Sequence, residues 1–195
     1  MTKTTARLEI VREADASGEV AELYDELRGL FLGFVPDVFK LVSTRPDMLG
    51  AFVTGYRSMF DGGHLPREAK EVIAITVARV ASCQYCATAH DAILRLLGAD
   101  SRYADAVADG MLDDPAIPGE IRVLAELATN ITQHAYRITD DDLDRVRSHG
   151  WDQPQVLEAV WVACLFNGIV RLADTFGLRD LGQLADDTDR VSGPR

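Results

Sequence analysis

The sequence predicts an all-α protein, and three observations support this fold class. Apolar residues recur at intervals of three and four along much of the chain, as at Leu23, Leu27 and Leu30, which is typical of helices with one buried face. Proline and glycine stand where such segments begin and end. No long run alternates apolar and polar residues, so the sequence offers no convincing strands from which a sheet could form.

Caps and breaks place the individual helices. Ser17 is the expected N-cap of the first helix, and Pro46 occupies the first turn of a later one. Asp61-Gly62-Gly63 forms a turn before Pro66 opens the next helix. Ser82 is the expected cap of the helix that follows. The predicted helices cover residues 17–30, 46–60, 67–81, 83–97, 101–108, 118–136, 140–148 and 154–176, with a short apolar stretch at 38–42.

Two segments have competing interpretations. Residues 72–80 are rich in β-branched side chains, and a strand there, followed by two cysteines and a helix, would be thioredoxin-like. Pro66 and Glu68 look like the start of a helix, so we favour a helix. Thr139 precedes three aspartates at 140–142, a pattern that predicts a capped helix start rather than a metal site.

Length and charge limit the classes of function. The 195 residues suit a single domain over 1–195, with a frayed tail from about residue 186. The 20 basic and 31 acidic residues give a net charge of −11, which disfavours nucleic acid and membranes as partners. We find no signal peptide and no stretch of eighteen apolar residues, and we therefore expect a cytoplasmic protein.

Three residues form a candidate chemical site. Cys83, Cys86 and His90 lie within about 60° of one another on a helical wheel, so they share one face. Thiols in the first turn of a helix are stabilised as thiolates, and a CxxC pair can form a disulfide. Each residue alone could be a core or surface residue, but their coincidence on one face favours redox function.

Zinc is an alternative use of the same residues. Cys83, Cys86 and His90 supply three ligands, and a fourth could be His64, Asp91 or water. Structural zinc usually draws on two separated ligand pairs, so we rank zinc below redox chemistry. Cys164 lies in an apolar segment and is expected to pack in the core, whereas His134 and His149 are expected at the surface or at helix ends.

Glu71 precedes Cys83 by twelve residues. Its position and spacing alone predict an exposed carboxylate in an early turn of its helix, where it interacts favourably with the helix dipole.

Residues 65–78, together with Cys83-Gln84-Tyr85-Cys86 and His90, resemble the AhpD-like alkylhydroperoxidase branch of the carboxymuconolactone decarboxylase family. Residues 23–39 and 166–177 are similar to its peroxidase-related subgroup. The resemblance covers most of the chain, with a motif-bearing core at about 46–130. Tyr85 stands where the best-studied AhpD pattern has a histidine.

This resemblance implies an all-α thiol peroxidase that reduces hydrogen or organic peroxides and assembles into homo-oligomers, trimers or hexamers. In the family, the residue that matches Cys86 attacks the peroxide and the one that matches Cys83 resolves the sulfenic acid. The family residues that match Glu71 and His90 relay protons. The resemblance therefore gives Glu71 a different role from the one that its spacing suggests. A lipoyl- or thioredoxin-like protein or a small dithiol would recycle the enzyme, with no flavin, haem or other cofactor.

Two other functions compete with this interpretation. The same dithiol could serve a protein disulfide reductase or redox sensor, and the chain could instead be a zinc-binding or structural oligomeric protein. The true decarboxylases of the wider family do not depend on this CxxC pair, so its presence argues against lactone decarboxylation.

Overall fold

The computed structural model describes residues 7–184, and within them it contains nine α-helices, two 3-10 turns and no β-strand. The all-α prediction is confirmed. The predicted tail from about residue 186 lies outside the described residues. The helices are α1 (Glu19–Leu30), α2 (Asp37–Lys40), α3 (Pro46–Phe60), α4 (Arg67–Val80), α5 (Gln84–Leu96), α6 (Ser101–Asp109), α7 (Gly119–His134), α8 (Asp140–Ser148) and α9 (Gln153–Phe176), and the 3-10 turns are Glu13–Asp15 and Ala135–Arg137.

Two predicted caps have different outcomes. Thr139 forms the expected capping box with Asp142 at the start of α8, so the acidic run is a helix start. The prediction of Ser17 as the cap of α1 is wrong. Gly18 takes that place with a φ of 55°, a conformation that glycine adopts without steric cost.

The described residues form two compact units. The first comprises residues 7–57 with 172–184, and the second comprises residues 58–171. In the first unit, the hydroxyl of Tyr24 donates to the carbonyl of Val11 at 2.7 Å, and the amide of Leu184 donates to buried Asp37 at 3.1 Å. These contacts tie the N-terminal and C-terminal segments to this unit. The organisation of residues 1–195 as a single domain stays a prediction.

Helix α4 is the centre of the second unit, where it packs against α5, α6 and α7. Its residues 69–78 are all buried. A helix that is surrounded on every side can be apolar all round, which explains why residues 72–80 resemble a buried strand. The preference for a helix here is confirmed.

A short loop joins α3 to α4 and is fixed by Glu158. Its carboxylate accepts the amide hydrogens of His64 at 2.7 Å and Leu65 at 2.8 Å. The ammonium group of buried Lys70 donates to the carbonyl of Gly62 at 2.6 Å. At Gly63, which has a φ of 88°, an added Cβ would lie 2.6 Å from the Glu158 carboxylate, so any larger residue would have to displace that carboxylate.

Helix α9 has a mixed surface. Its mean hydropathy reaches 1.7 over the most apolar eighteen residues, so by length and composition alone this helix could cross a membrane. The core helices of soluble proteins meet the same criterion. Ala163 and Phe166 are buried, whereas Trp161 and Cys164 are exposed. The prediction that Cys164 packs in the core is therefore wrong, because the helical rotation places it on the same face as Trp161.

Candidate active site

The first cysteine of the motif lies at the junction of α4 and α5. The amide of Ser82 donates to the carbonyl of Arg79 at 2.9 Å, and the amide of Cys83 donates to that of Ala78 at 2.8 Å. This pair of bonds is a Schellman turn, and Ser82 occupies its left-handed position with a φ of 61°. The prediction of Ser82 as the cap of α5 is wrong. Ser82 closes α4, and Cys83 is the N-cap of α5.

Both cysteines are enclosed by the protein. Cys83 is 1% exposed and Cys86 is 2% exposed. His90, also buried, follows Cys86 by four residues on α5, and side chains at this spacing are neighbours on one helical face. The helix face that Cys83, Cys86 and His90 share is therefore turned toward the interior of the protein.

Glu71 of α4 contacts His90 of α5. The Oε2 atom of Glu71 lies 2.5 Å from Nδ1 of His90, and the Glu71 side chain is 0% exposed. The expectation from spacing alone, an exposed carboxylate, is wrong, because Glu71 lies on the side of α4 that packs against α5. The structure thus brings together two of the four predicted site residues through a direct contact.

Arg67 completes the environment of this carboxylate. Its Nε donates to Oε1 of Glu71 at 2.5 Å, so each carboxylate oxygen has a cationic or imidazole partner. Burial by itself raises the pKa of Glu71, but the charges and hydrogen bonds of His90 and Arg67 outweigh it. The pKa of Glu71 therefore lies below its ordinary value of 4.5, and the group is ionised at neutral pH.

The ionised carboxylate determines which imidazole nitrogen carries hydrogen. A carboxylate can only accept, so Nδ1 of His90 must donate to Glu71. In the neutral imidazole, Nε2 then has a lone pair and can accept a proton. The pair can thus act as a general base whose orientation is fixed by Glu71.

Two aromatic rings hold the imidazole of His90. The Phe60 ring stacks with it at a centroid distance of 5.3 Å, and the Phe166 ring meets it edge-on at 4.7 Å. The guanidinium of Arg67 lies 4.8 Å from the Phe60 centroid. Arg67, Phe60 and Phe166 are not among the site residues that the sequence predicts. The spacing of four residues between Arg67 and Glu71 was the signal available for the arginine.

The remaining histidines and candidate ligands lie elsewhere. His134 and His149 are exposed, as expected, and His64 is an exposed residue of the loop between α3 and α4. Tyr85, which lies between the two cysteines in the sequence, is buried. Across residues 7–184, no group of three or more His, Cys, Asp or Glu side chains is placed to hold a metal ion.

Comparison with known proteins identifies relatives in sequence and in structure. Residues 46–129 match the carboxymuconolactone decarboxylase family. Alkyl hydroperoxide reductase Rv2159c of Mycobacterium tuberculosis is 33% identical over 96 residues, which are 49% of this chain and 28% of that protein. The chain thus spans well under a third of this relative's length.

Two crystal structures share nearly the whole fold. One is a peroxidase-related protein from Ralstonia eutropha, described as an alkylhydroperoxidase AhpD core, with a TM-score of 0.81 and 25% identity over 94% of each chain. The other is a peroxidase-related protein from Silicibacter sp. TM1040, with a TM-score of 0.78 and 26% identity over 90% of this chain and 93% of that one. Residues 46–129 thus match the carboxymuconolactone decarboxylase family, and nearly the whole chain shares the fold of the AhpD-like, peroxidase-related proteins to which it is similar.

Proposed function

We propose that this protein is a thiol-dependent peroxidase that reduces hydrogen peroxide or organic peroxides through Cys86 and Cys83. The observation that carries the proposal is the buried contact between Glu71 and His90, one helical turn from Cys86 on α5. An oriented imidazole near a dithiol can move the protons that peroxide reduction requires. The names of the relatives, an alkyl hydroperoxide reductase and two peroxidase-related proteins, support the same activity.

In the first step, Nε2 of His90 takes the proton of the Cys86 thiol. The thiolate attacks one oxygen of the peroxide, the O–O bond breaks, and Cys86 becomes a sulfenic acid. The departing alkoxide or hydroxide takes the proton from His90 and leaves as alcohol or water. Glu71 keeps Nδ1 of His90 hydrogen-bonded throughout, so the imidazole returns to its starting protonation state.

In the second step, the thiol of Cys83 attacks the sulfur of the Cys86 sulfenic acid. A disulfide forms and one water leaves, which carries away the sulfenic oxygen. An external dithiol then reduces this disulfide and becomes a disulfide itself. The assignment of attack to Cys86 and resolution to Cys83 follows the family, and we extend it to these two residues.

The burial of both thiols favours small reaction partners. Peroxides and slender dithiols, such as a lipoyl group, need less opening of the site than the disulfide of a folded protein does. This argues against a general protein disulfide reductase, which must present its attacking sulfur to a large substrate. We place the cycle in the cytoplasm, where reducing conditions keep such a dithiol ready to react.

The proposal is tested by two assays on the same reduced protein. Consumption of cumene hydroperoxide or hydrogen peroxide is followed with excess dithiol, and reduction of insulin disulfides is followed in parallel. We expect repeated peroxide turnover and little insulin reduction. Insulin reduction without peroxide turnover would instead identify a disulfide reductase. Stoichiometric metal in protein purified under reducing conditions would favour the zinc-binding alternative.

A further inference from the structure

Arg67 is the first residue of α4, and its side chain connects Glu71 with Phe60 within the second unit. Its Nε donates to Glu71, its Nη1 donates to the carbonyl of Phe60 at 3.3 Å, and its guanidinium lies over the Phe60 ring. The side chain is 33% exposed, so it enters the site from the protein surface. The stacking of Phe60 with His90 links Arg67 to the imidazole by a second route.

We propose that Arg67 is a positioning residue that keeps Glu71 ionised and fixed while His90 gains and loses its proton. This inference rests on the proposed peroxidase function, because it concerns the same proton relay. Arg67 acts through Glu71 and is not itself a donor or acceptor of the reacting proton.

The charge of Arg67 is constant, whereas that of His90 is not. Within residues 7–184, the carboxylate of Glu71 contacts two groups that can be positive, Arg67 and His90. His90 is neutral for part of the proposed cycle, so it cannot neutralise the buried carboxylate continuously. Arg67 remains protonated under all these conditions. It therefore supplies the constant charge that a fully buried carboxylate requires.

The shape of the guanidinium also matters. The planar guanidinium contacts a carboxylate, a backbone carbonyl and an aromatic face together, which a lysine ammonium cannot reproduce. Fixing Oε1 of Glu71 from α4 leaves Oε2 directed at His90. An arginine that served only folding would not move the pH dependence of peroxide turnover.

The test follows Glu71 directly. The carboxyl carbon of Glu71 is observed by NMR as a function of pH in the parent, Arg67→Gln and Arg67→Lys proteins, with Glu71→Gln used to assign the signal. We expect the pKa of Glu71 to rise by about one unit or more in Arg67→Gln, since a neighbouring positive charge has effects of this size. Arg67→Lys, which keeps the charge but loses the planar contacts, should give a smaller rise.

Arg147→Gln is the matched control because Arg147 pairs with Asp144 at the surface of α8. It should leave the Glu71 titration unchanged. An identical Glu71 titration in the parent and in Arg67→Gln would overturn the inference. If Arg67→Gln does not fold, Arg67→Met, which also removes the charge but keeps an unbranched side chain, takes its place, and an unchanged Glu71 titration there overturns the inference in the same way.

The pH dependence of peroxide turnover is measured on the same variants. We expect the acid limb of the profile to move to higher pH in Arg67→Gln, in step with the Glu71 titration. A shifted titration in a protein whose parent form turns over no peroxide would support the role of Arg67 and refute the peroxidase. A shifted titration with an unmoved acid limb would refute the role of Arg67 in the relay.

Discussion

Oε2 of Glu71 lies 2.5 Å from Nδ1 of His90, although the two residues are 19 positions apart and belong to different helices. The contact depends on the packing of α4 against α5, and that packing depends on the tight turn at Ser82 and Cys83. The same turn sets Cys83 at the start of α5 and so determines where the thiols lie. The turn therefore positions both the Glu71–His90 contact and the two cysteines.

Replacing Glu71 tests the acid–base pair. Glu71→Gln keeps the shape of the side chain but cannot hold His90 with a negative charge, so we expect a folded protein whose peroxide turnover falls by about 10²–10⁴. The pH dependence of cysteine alkylation should be displaced as well, because the charges around the thiols change. Stopped-flow peroxide consumption and timed alkylation measure the two effects.

Glu68→Gln is the control, because Glu68 is an exposed carboxylate in the first turn of the same helix. It should lose a few tenths of a kcal/mol of dipole interaction and its interaction with the hydroxyl of Tyr103, neither of which involves Glu71 or His90. Its turnover is expected within a factor of two of the parent. If both variants are equally active, Glu71 has no part in a relay.

The separate roles of the cysteines are tested by trapping. Cys86→Ser should abolish peroxide turnover, whereas Cys83→Ser should react once and accumulate a sulfenic acid that nothing resolves. Mass spectrometry after treatment with a 1,3-dicarbonyl trap detects this product. Cys164→Ser is the matched control and should behave as the parent, since Cys164 lies on the exposed face of α9. Trapping only in Cys86→Ser would exchange the two roles.

The sequence predicted the fold class and most helix positions because both depend on local signals. The capping box at Thr139 and the turn before Pro66 are read from residues close together in the chain. The exact role of Ser82 was not predictable in this way. Serine is a common N-cap, and only the Schellman bond from Cys83 to Ala78 shows that Ser82 ends a helix instead of starting one.

The sequence named the residues of the candidate site but not their surroundings. The cysteines, His90 and Glu71 follow from a motif and from the family resemblance. Phe60 and Phe166 enclose His90 from α3 and α9, and such contacts are set by tertiary packing that no spacing encodes. Cys164 illustrates the converse error, because an apolar helix segment can still present one face to solvent.

Acid should weaken the protein partly through Glu71. Its pKa in the folded protein lies below the ordinary value of 4.5, so the ionised group contributes stability that is fully present above pH 4.5. This contribution is lost as the pH falls through the folded pKa. We compare the free energies of unfolding of the parent and Glu71→Gln by urea unfolding at about pH 7 and about pH 3. The difference between the two proteins should be smaller at about pH 3. A difference that does not change with pH would contradict this.

Assembly is a further prediction, since the family resemblance implies a homo-oligomer. Leu157 and Trp161 are large apolar residues that α9 exposes in the single chain. Light scattering at micromolar concentration should give a mass that is a multiple of 21.4 kDa, with three or six copies expected. A strictly monomeric mass would contradict the prediction.

Two adjacent glycines separate a backbone effect from a contact effect in the loop before α4. Gly62 and Gly63 have φ values of 65° and 88°, so alanine is strained at both, at a cost of about 1 kcal/mol. An added Cβ at Gly62 has no neighbour within 4 Å, but at Gly63 it would meet the carboxylate of Glu158. That carboxylate would have to release the amides of His64 and Leu65, which it now accepts at 2.7 and 2.8 Å.

We therefore expect Gly62→Ala to lower the free energy of unfolding by about 1 kcal/mol and Gly63→Ala to lower it by about 1–3 kcal/mol more. Urea unfolding of the two variants beside the parent measures the difference. Because the loop connects Phe60 at the end of α3 with Arg67 at the start of α4, Gly63→Ala should also slow peroxide turnover more than Gly62→Ala does. Equal losses of stability in the two variants would show that Glu158 adjusts without cost and that the loop is not fixed by this carboxylate.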